Sequence, residues 1–165
     1  PVYLYTVLGW EFVTVGSFMA VWVMGYGLIQ ASAPLILRHA DRGRGPNGFA
    51  ALTWVAVLAL VPASIAMLLS AGMQPDRVVV IGLLVFGVVF ALNSAVHSYL
   101  IVAWSARDEM AKNVGFYYMA NAGGRLAGTV LSGLIYQSQG LIGCLWWSSV
   151  MLVLAGLISI RFSRV

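Results

Sequence analysis

Apolar residues run along this chain in five long blocks separated by short polar breaks: Val13 to Leu37, Phe49 to Leu69, Val78 to Ala103, Gly115 to Tyr136 and Leu141 to Ile160. Each is close to the ~20 residues that an α-helix needs to cross the hydrocarbon core of a bilayer. The pattern predicts five membrane-spanning helices joined by short connections, packed as one all-α helical bundle. The breaks carry the residues that stop helices: Gly and Pro in "RHADRGRGPNG", Arg38 to Gly48, and the "SQG" turn at Ser138 to Gly140. Nothing at the start reads as a cleaved signal peptide, because "PVYLYTVLGWEF" has no basic region ahead of an apolar core. "PVYLYT" reads instead as the outer end of a further helix, so the chain is expected to be a fragment of a larger membrane protein.

Composition agrees with the pattern. Of 165 residues, 61% are hydrophobic and 8% charged, against about 25% charged in soluble domains. The net charge of +4 comes from cations in short loops, with no basic run interleaved with aromatics, so nucleic acid is not an expected partner. The cations instead set the threading. Arg38, Arg42, Arg44, Arg107, Lys112, Arg161 and Arg164 fall on one side of the membrane and Arg77 alone on the other, seven against one. By the positive-inside rule the C-terminus lies in the cytoplasm, with the spans in a plasma or inner membrane. The single cysteine, Cys144, lies inside the last block and reads as a packing residue; it excludes a disulfide framework and a cysteine metal cluster.

Polar side chains inside the apolar blocks are the candidate chemistry. Arg125 stands ten residues into the fourth block, about 15 Å along a helix at 1.5 Å per residue. That is near the midplane, where a charge costs about 2.5–3.5 kcal/mol on insertion scales. It therefore needs a partner, a water-filled space or a bound anion. Tyr117, Asn121, Arg125 and Thr129 recur every four residues, with Tyr118 beside them, and share one helix side. Ala120, Gly124, Gly128 and Ser132 make an adjoining small-residue stripe that predicts close packing of a neighbouring helix. The third block adds Asn93 and His97 on one face, with Ser98 and Tyr99 next to them. In the first block Trp22, Tyr26, Gln30 and Pro34 recur every four residues, with a distortion expected at Pro34; Tyr26 and Gln30 suit either solute contacts or bonds between helices. The second and fifth blocks have few polar groups and read as supporting helices, the second bent at Pro62.

All five carboxylates, Glu11, Asp41, Asp76, Asp108 and Glu109, fall at span ends or in loops, whereas the ionisable groups at depth are Arg125 and His97. A cation with tyrosine hydroxyls and amides around it suits a small anionic or oxygen-rich solute, and a guanidinium can hold a phosphate-like group bidentately. No acid pair, no nucleophile with a base and no metal-ligand set stands at membrane depth, which argues against an intramembrane enzyme and calls for no cofactor. The reading at this level is a transporter whose solute contacts are Arg125, His97, Asn93, Asn121, Tyr117, Tyr118, Tyr26 and Gln30. The competing reading is a membrane assembly subunit in which the same strip binds a partner helix.

Four stretches carry a family resemblance: "VMGYGLIQASAP" at Val23 to Pro34, "VHSYLIV" at Val96 to Val102, "VGFYYMANAGGRLAGTVLSG" at Val114 to Gly133, and "GLIGCLWWS" at Gly140 to Ser148. Together with the opening "PVYL" they resemble the organoarsenical efflux transporters of the major facilitator superfamily, the ArsJ type. The resemblance covers essentially the whole chain and departs from the pattern at Gly123 and Trp147. It implies that the five spans are helices eight to twelve of a twelve-helix carrier, following the end of helix seven at Pro1 to Leu8, with the N-terminal half absent. It implies export, by alternating access, of 1-arseno-3-phosphoglycerate, the adduct formed when glyceraldehyde-3-phosphate dehydrogenase uses arsenate, and hence a functional link to that enzyme. In the superfamily, helices eight, ten and eleven line the central cavity; the corresponding spans here are the first, third and fourth, the three with polar stripes. Another organic anion would suit the same strip.

Overall fold

A computed structural model describes residues 1–40 and 47–160, with the backbone alone at positions 34 and 36–40. Every regular element among them is helical: α1 (Val2–Thr6), α2 (Phe12–Ala40), α3 (Gly48–Ser70), α4 (Pro75–Trp104) and α5 (Met110–Ile160). The last four are each long and apolar enough to cross a membrane. They extend the apolar blocks by only a few residues at either end, because the helix runs on until a capping group or turn stops it. Asn47 begins α3, its side-chain oxygen accepting from the Ala50 amide at 2.9 Å. Pro75 opens α4, where its missing N–H leaves nothing unsatisfied, and Asp76 sits in the first turn, favourably placed against the helix dipole. Between them the Met73 amide closes back on the Leu68 carbonyl at 3.2 Å and Gly72 on Leu69 at 3.1 Å, a Schellman-type stop. α2 continues through position 34 and α3 through Pro62.

α5 has 51 residues, which as one straight helix would be about 77 Å long, more than twice the ~30 Å core of a bilayer. It is not straight. Gly140 has φ 65° and ψ −161°, a backbone region open essentially to glycine alone. Beyond it the Cys144 thiol donates to the Ser132 carbonyl at 3.4 Å, although residues twelve apart lie about 18 Å apart along a continuous helix. The chain therefore reverses at Gly140, separating a first limb (110–139) from a second (141–160).

α4 sits between α2 and α3, and α3 sits between α4 and α5. It is the second limb of α5 that packs on α3: a Cβ at Gly156 would touch Val55 Cγ1 at 3.3 Å. One core cluster joins Ala33 of α2, Ala51 of α3 and Leu92, Val96 and Leu100 of α4. A second joins Leu4 of α1, Val15 of α2 and Val79 of α4, with Trp10 meeting Phe18 edge-on at 5.6 Å. Large apolar side chains such as Phe12, Phe49, Leu84 and Leu126 stay exposed, one on each of the four long helices. Water would oppose that surface; acyl chains are its natural solvent.

The first limb of α5 is the exception to this packing. None of its residues is buried, and an added Cβ at Gly124 or Gly128 would meet nothing within 4 Å. The close helix contact expected along Ala120, Gly124, Gly128 and Ser132 is therefore not made among the described residues. The cation count that set the threading rests largely on Arg42, Arg44, Arg161 and Arg164, which lie outside the described residues, as does Asp41; the side chain of Arg38 lies outside them too.

Candidate functional site

The polar stripe of α2 turns toward α4. Trp22 Nε1 donates to the Leu83 carbonyl at 2.7 Å, and the indole can approach only because residue 87 is glycine: a Cβ there would stand 3.0 Å from Nε1. Tyr26 stacks on Trp22 at 6.0 Å and on Phe90 at 5.6 Å, and Phe90 in turn on Phe86 at 5.5 Å. One turn further on, Gln30 Nε2 donates to Ser94 Oγ at 3.4 Å. Tyr26 and Gln30 are thus used in the α2–α4 seam, the interhelical alternative left open by their spacing. Phe90 and Ser94, the residues that receive them, went unremarked in the apolar pattern; Gly87 was the available signal, a small residue where a large partner must fit.

On α4 itself His97 Nδ1 donates to the Asn93 carbonyl at 2.9 Å. This local bond occupies Nδ1 and leaves Nε2 without a hydrogen bond among the described residues. Asn93 Oδ1 is buried and has no hydrogen-bond partner among the described residues, an arrangement that costs about 1–3 kcal/mol unless a donor reaches it. Ser98, next along the helix, meets the Tyr117 hydroxyl of α5 at 3.4 Å. Near the same end, Asn113 Nδ2 donates to Ser105 Oγ at 3.2 Å, tying the start of α5 to the end of α4. Polar contacts therefore tie α4 to both neighbours, Ser94 to Gln30 of α2 and Ser98 to Tyr117 of α5, with Asn93 and His97 close by in sequence.

Tyr118 packs its ring against Tyr117 at 5.6 Å and is exposed. Asn121 and Arg125 continue down the same limb, Arg125 about 12 Å beyond Tyr117 by helical rise. Both are exposed, and Arg125 has no side-chain hydrogen bond or ion pair among the described residues. Thr129 turns its hydroxyl back to the Arg125 carbonyl at 2.8 Å. Among the described residues, neither Arg125 nor Asn121 lines any of four main cavities, the larger two of them between α3 and α5 and between α3 and α4. The structure thus sets Gln30 against Ser94 and Tyr117 against Ser98, keeps His97 bonded within its own helix beside the unpartnered Asn93 side chain, and leaves Asn121 and Arg125 on an open helix face. The described residues contain no group of three or more His, Cys, Asp and Glu side chains able to hold a metal.

Four long apolar helices, each able to cross a membrane, are those of a multi-pass helical membrane protein, with isolated polar contacts in its apolar packing. Comparison with family models, curated proteins and solved structures finds no match to this chain.

Proposed function

We propose that the chain is half of a major-facilitator-type carrier that moves a small anionic solute out of the cell by alternating access. In this reading the two limbs of α5 are separate crossings, giving five spans that correspond to helices eight to twelve, with the C-terminus cytoplasmic. The observation that carries it is Arg125, an unpaired cation within an apolar helix, on the same side as Asn121 and Tyr117. The Tyr117–Ser98 contact ties this strip to α4, the helix that carries Asn93 and His97. A guanidinium at that depth is unfavourable facing acyl chains and favourable facing a hydrated anion. The other half of the carrier would cover the open face of the first limb and enclose the space beside it. By resemblance the solute is 1-arseno-3-phosphoglycerate, supplied by a glyceraldehyde-3-phosphate dehydrogenase acting on arsenate.

Roles follow from position. Arg125 holds the anionic group, Asn121 and Tyr118 offer further donors, and His97 Nε2 and Asn93 Oδ1 accept from solute hydroxyls. In the intact carrier, Arg125→Gln should abolish export with normal membrane insertion, while Arg125→Lys keeps the charge and should retain part of it. Normal export by Arg125→Gln removes the residue from the site. A second reading, an assembly subunit, is favoured by the bare Ala120, Gly124, Gly128 and Ser132 stripe, which suits a partner helix. The two part on Gly128→Leu: a subunit loses its partner in a pull-down from membranes, whereas a carrier loses transport with no partner to lose.

A further inference from the structure

We propose that the groove between α3 and α4 binds one acyl chain of an anionic phospholipid, whose phosphate pairs with Arg77. The inference is independent of the transport reading. Arg77, Ile81, Val85 and Val89 recur every four residues and line one wall; Val61 and Leu68 of α3 belong to the other, around a cavity of about 520 Å³. The stripe from Arg77 to Val89 measures about 18 Å by helical rise, slightly more than half the ~30 Å core of a bilayer. That is the depth one leaflet's chain occupies. Ile81 is 59% exposed, Val85 46% and Leu68 41%, so the groove opens sideways along its length.

Charge selects the head. Arg77 stands in the first turns of α4, next to the α3–α4 turn, where a chain lying in the groove would emerge at the membrane surface. Its neighbour Asp76 accepts from Trp10 Nε1 at 3.1 Å and makes no ion pair with Arg77 among the described residues. Arg77 is exposed and has no hydrogen bond or ion pair among the described residues. A phosphate carrying net negative charge meets an unpaired guanidinium at the groove's end; a zwitterionic headgroup brings its own cation to the same place and gains less.

The test uses the intact protein in phosphatidylcholine nanodiscs containing a small fraction of a lipid with a photoreactive group on its acyl chain. The probe is phosphatidylglycerol in one arm and phosphatidylcholine in the other, and labelled residues are mapped by mass spectrometry. The anionic probe should label the groove residues about fivefold more than the zwitterionic one, the increment of one Arg near an anionic lipid. Arg77→Gln should bring the two probes level with the protein still folded, and Ile81→Trp, filling the groove, should lower labelling of Val61 by both. Equal labelling of the unaltered protein, a preference that survives Arg77→Gln, or labelling of Val61 that Ile81→Trp leaves untouched would overturn the proposal.

Discussion

Replacing Gly87 by Leu should pull α2 away from α4, and the effect can be worked from the contacts around Trp22. A Cβ at position 87 would sit 3.0 Å from Trp22 Nε1 and 3.2 Å from Cε2 and Cζ2. Further carbons leave the indole nowhere to stay. Overpacking of this kind costs about 1–3 kcal/mol. A retreating ring also gives up the 2.7 Å bond to the Leu83 carbonyl, and interhelical hydrogen bonds in membranes average about 0.6 kcal/mol with a maximum near 1.7. Against this, Leu is a better helix former than Gly by about 0.8 kcal/mol. The balance is about 2 kcal/mol of destabilisation, roughly a 30-fold shift in the unfolding equilibrium. It would be measured by denaturant titration in mixed micelles, following near-UV circular dichroism. The decisive control is a Trp22→Phe background, where the smaller ring has no N–H to lose and Gly87→Leu should cost at least about 0.5 kcal/mol less, the coupling expected of touching residues. Equal costs in both backgrounds would refute the claim that Gly87 is small for Trp22.

Three further outcomes can be checked. Gly140→Ala should destabilise the reversal in α5 by about 1–3 kcal/mol, since φ 65° with ψ −161° is strained for any residue with a Cβ. It would appear as a lower thermal midpoint than in a matched Gly133→Ala variant, a position whose added Cβ meets nothing within 4 Å. The reversal itself predicts that a cysteine placed at Ser132 will join native Cys144 through a short thiol crosslinker; a continuous helix would hold the pair about 18 Å apart and leave them unjoined. Ser98→Ala and Tyr117→Phe should each cost about 0.6 kcal/mol and no more when combined, because both remove the same bond; additive losses in the same titration would show that the hydroxyls act separately.

The length and spacing of apolar residues were enough to place four long apolar helices, the last two of the five blocks falling within α5, because in hydrocarbon a backbone segment of ~20 residues can satisfy its own hydrogen bonds only as a helix. The turn at Gly140 was equally legible, since a glycine follows Ser138 and Gln139 between two apolar blocks. So was the coincidence of Tyr117, Asn121, Arg125 and Thr129 on one side, which follows from the helical repeat alone. What periodicity leaves open is the direction each side faces, because that depends on which helix lies next to it. Trp22, Tyr26 and Gln30 make a polar stripe in sequence and a packing seam in the fold, decided by Gly87, Phe90 and Ser94 more than sixty positions away. The small stripe from Ala120 to Ser132 invites a close neighbour, yet α3 takes the second limb of α5 and leaves the first uncovered. A helix forms from its own residues, but the choice of neighbour is made by shape between surfaces, and only the tertiary structure brings those surfaces together.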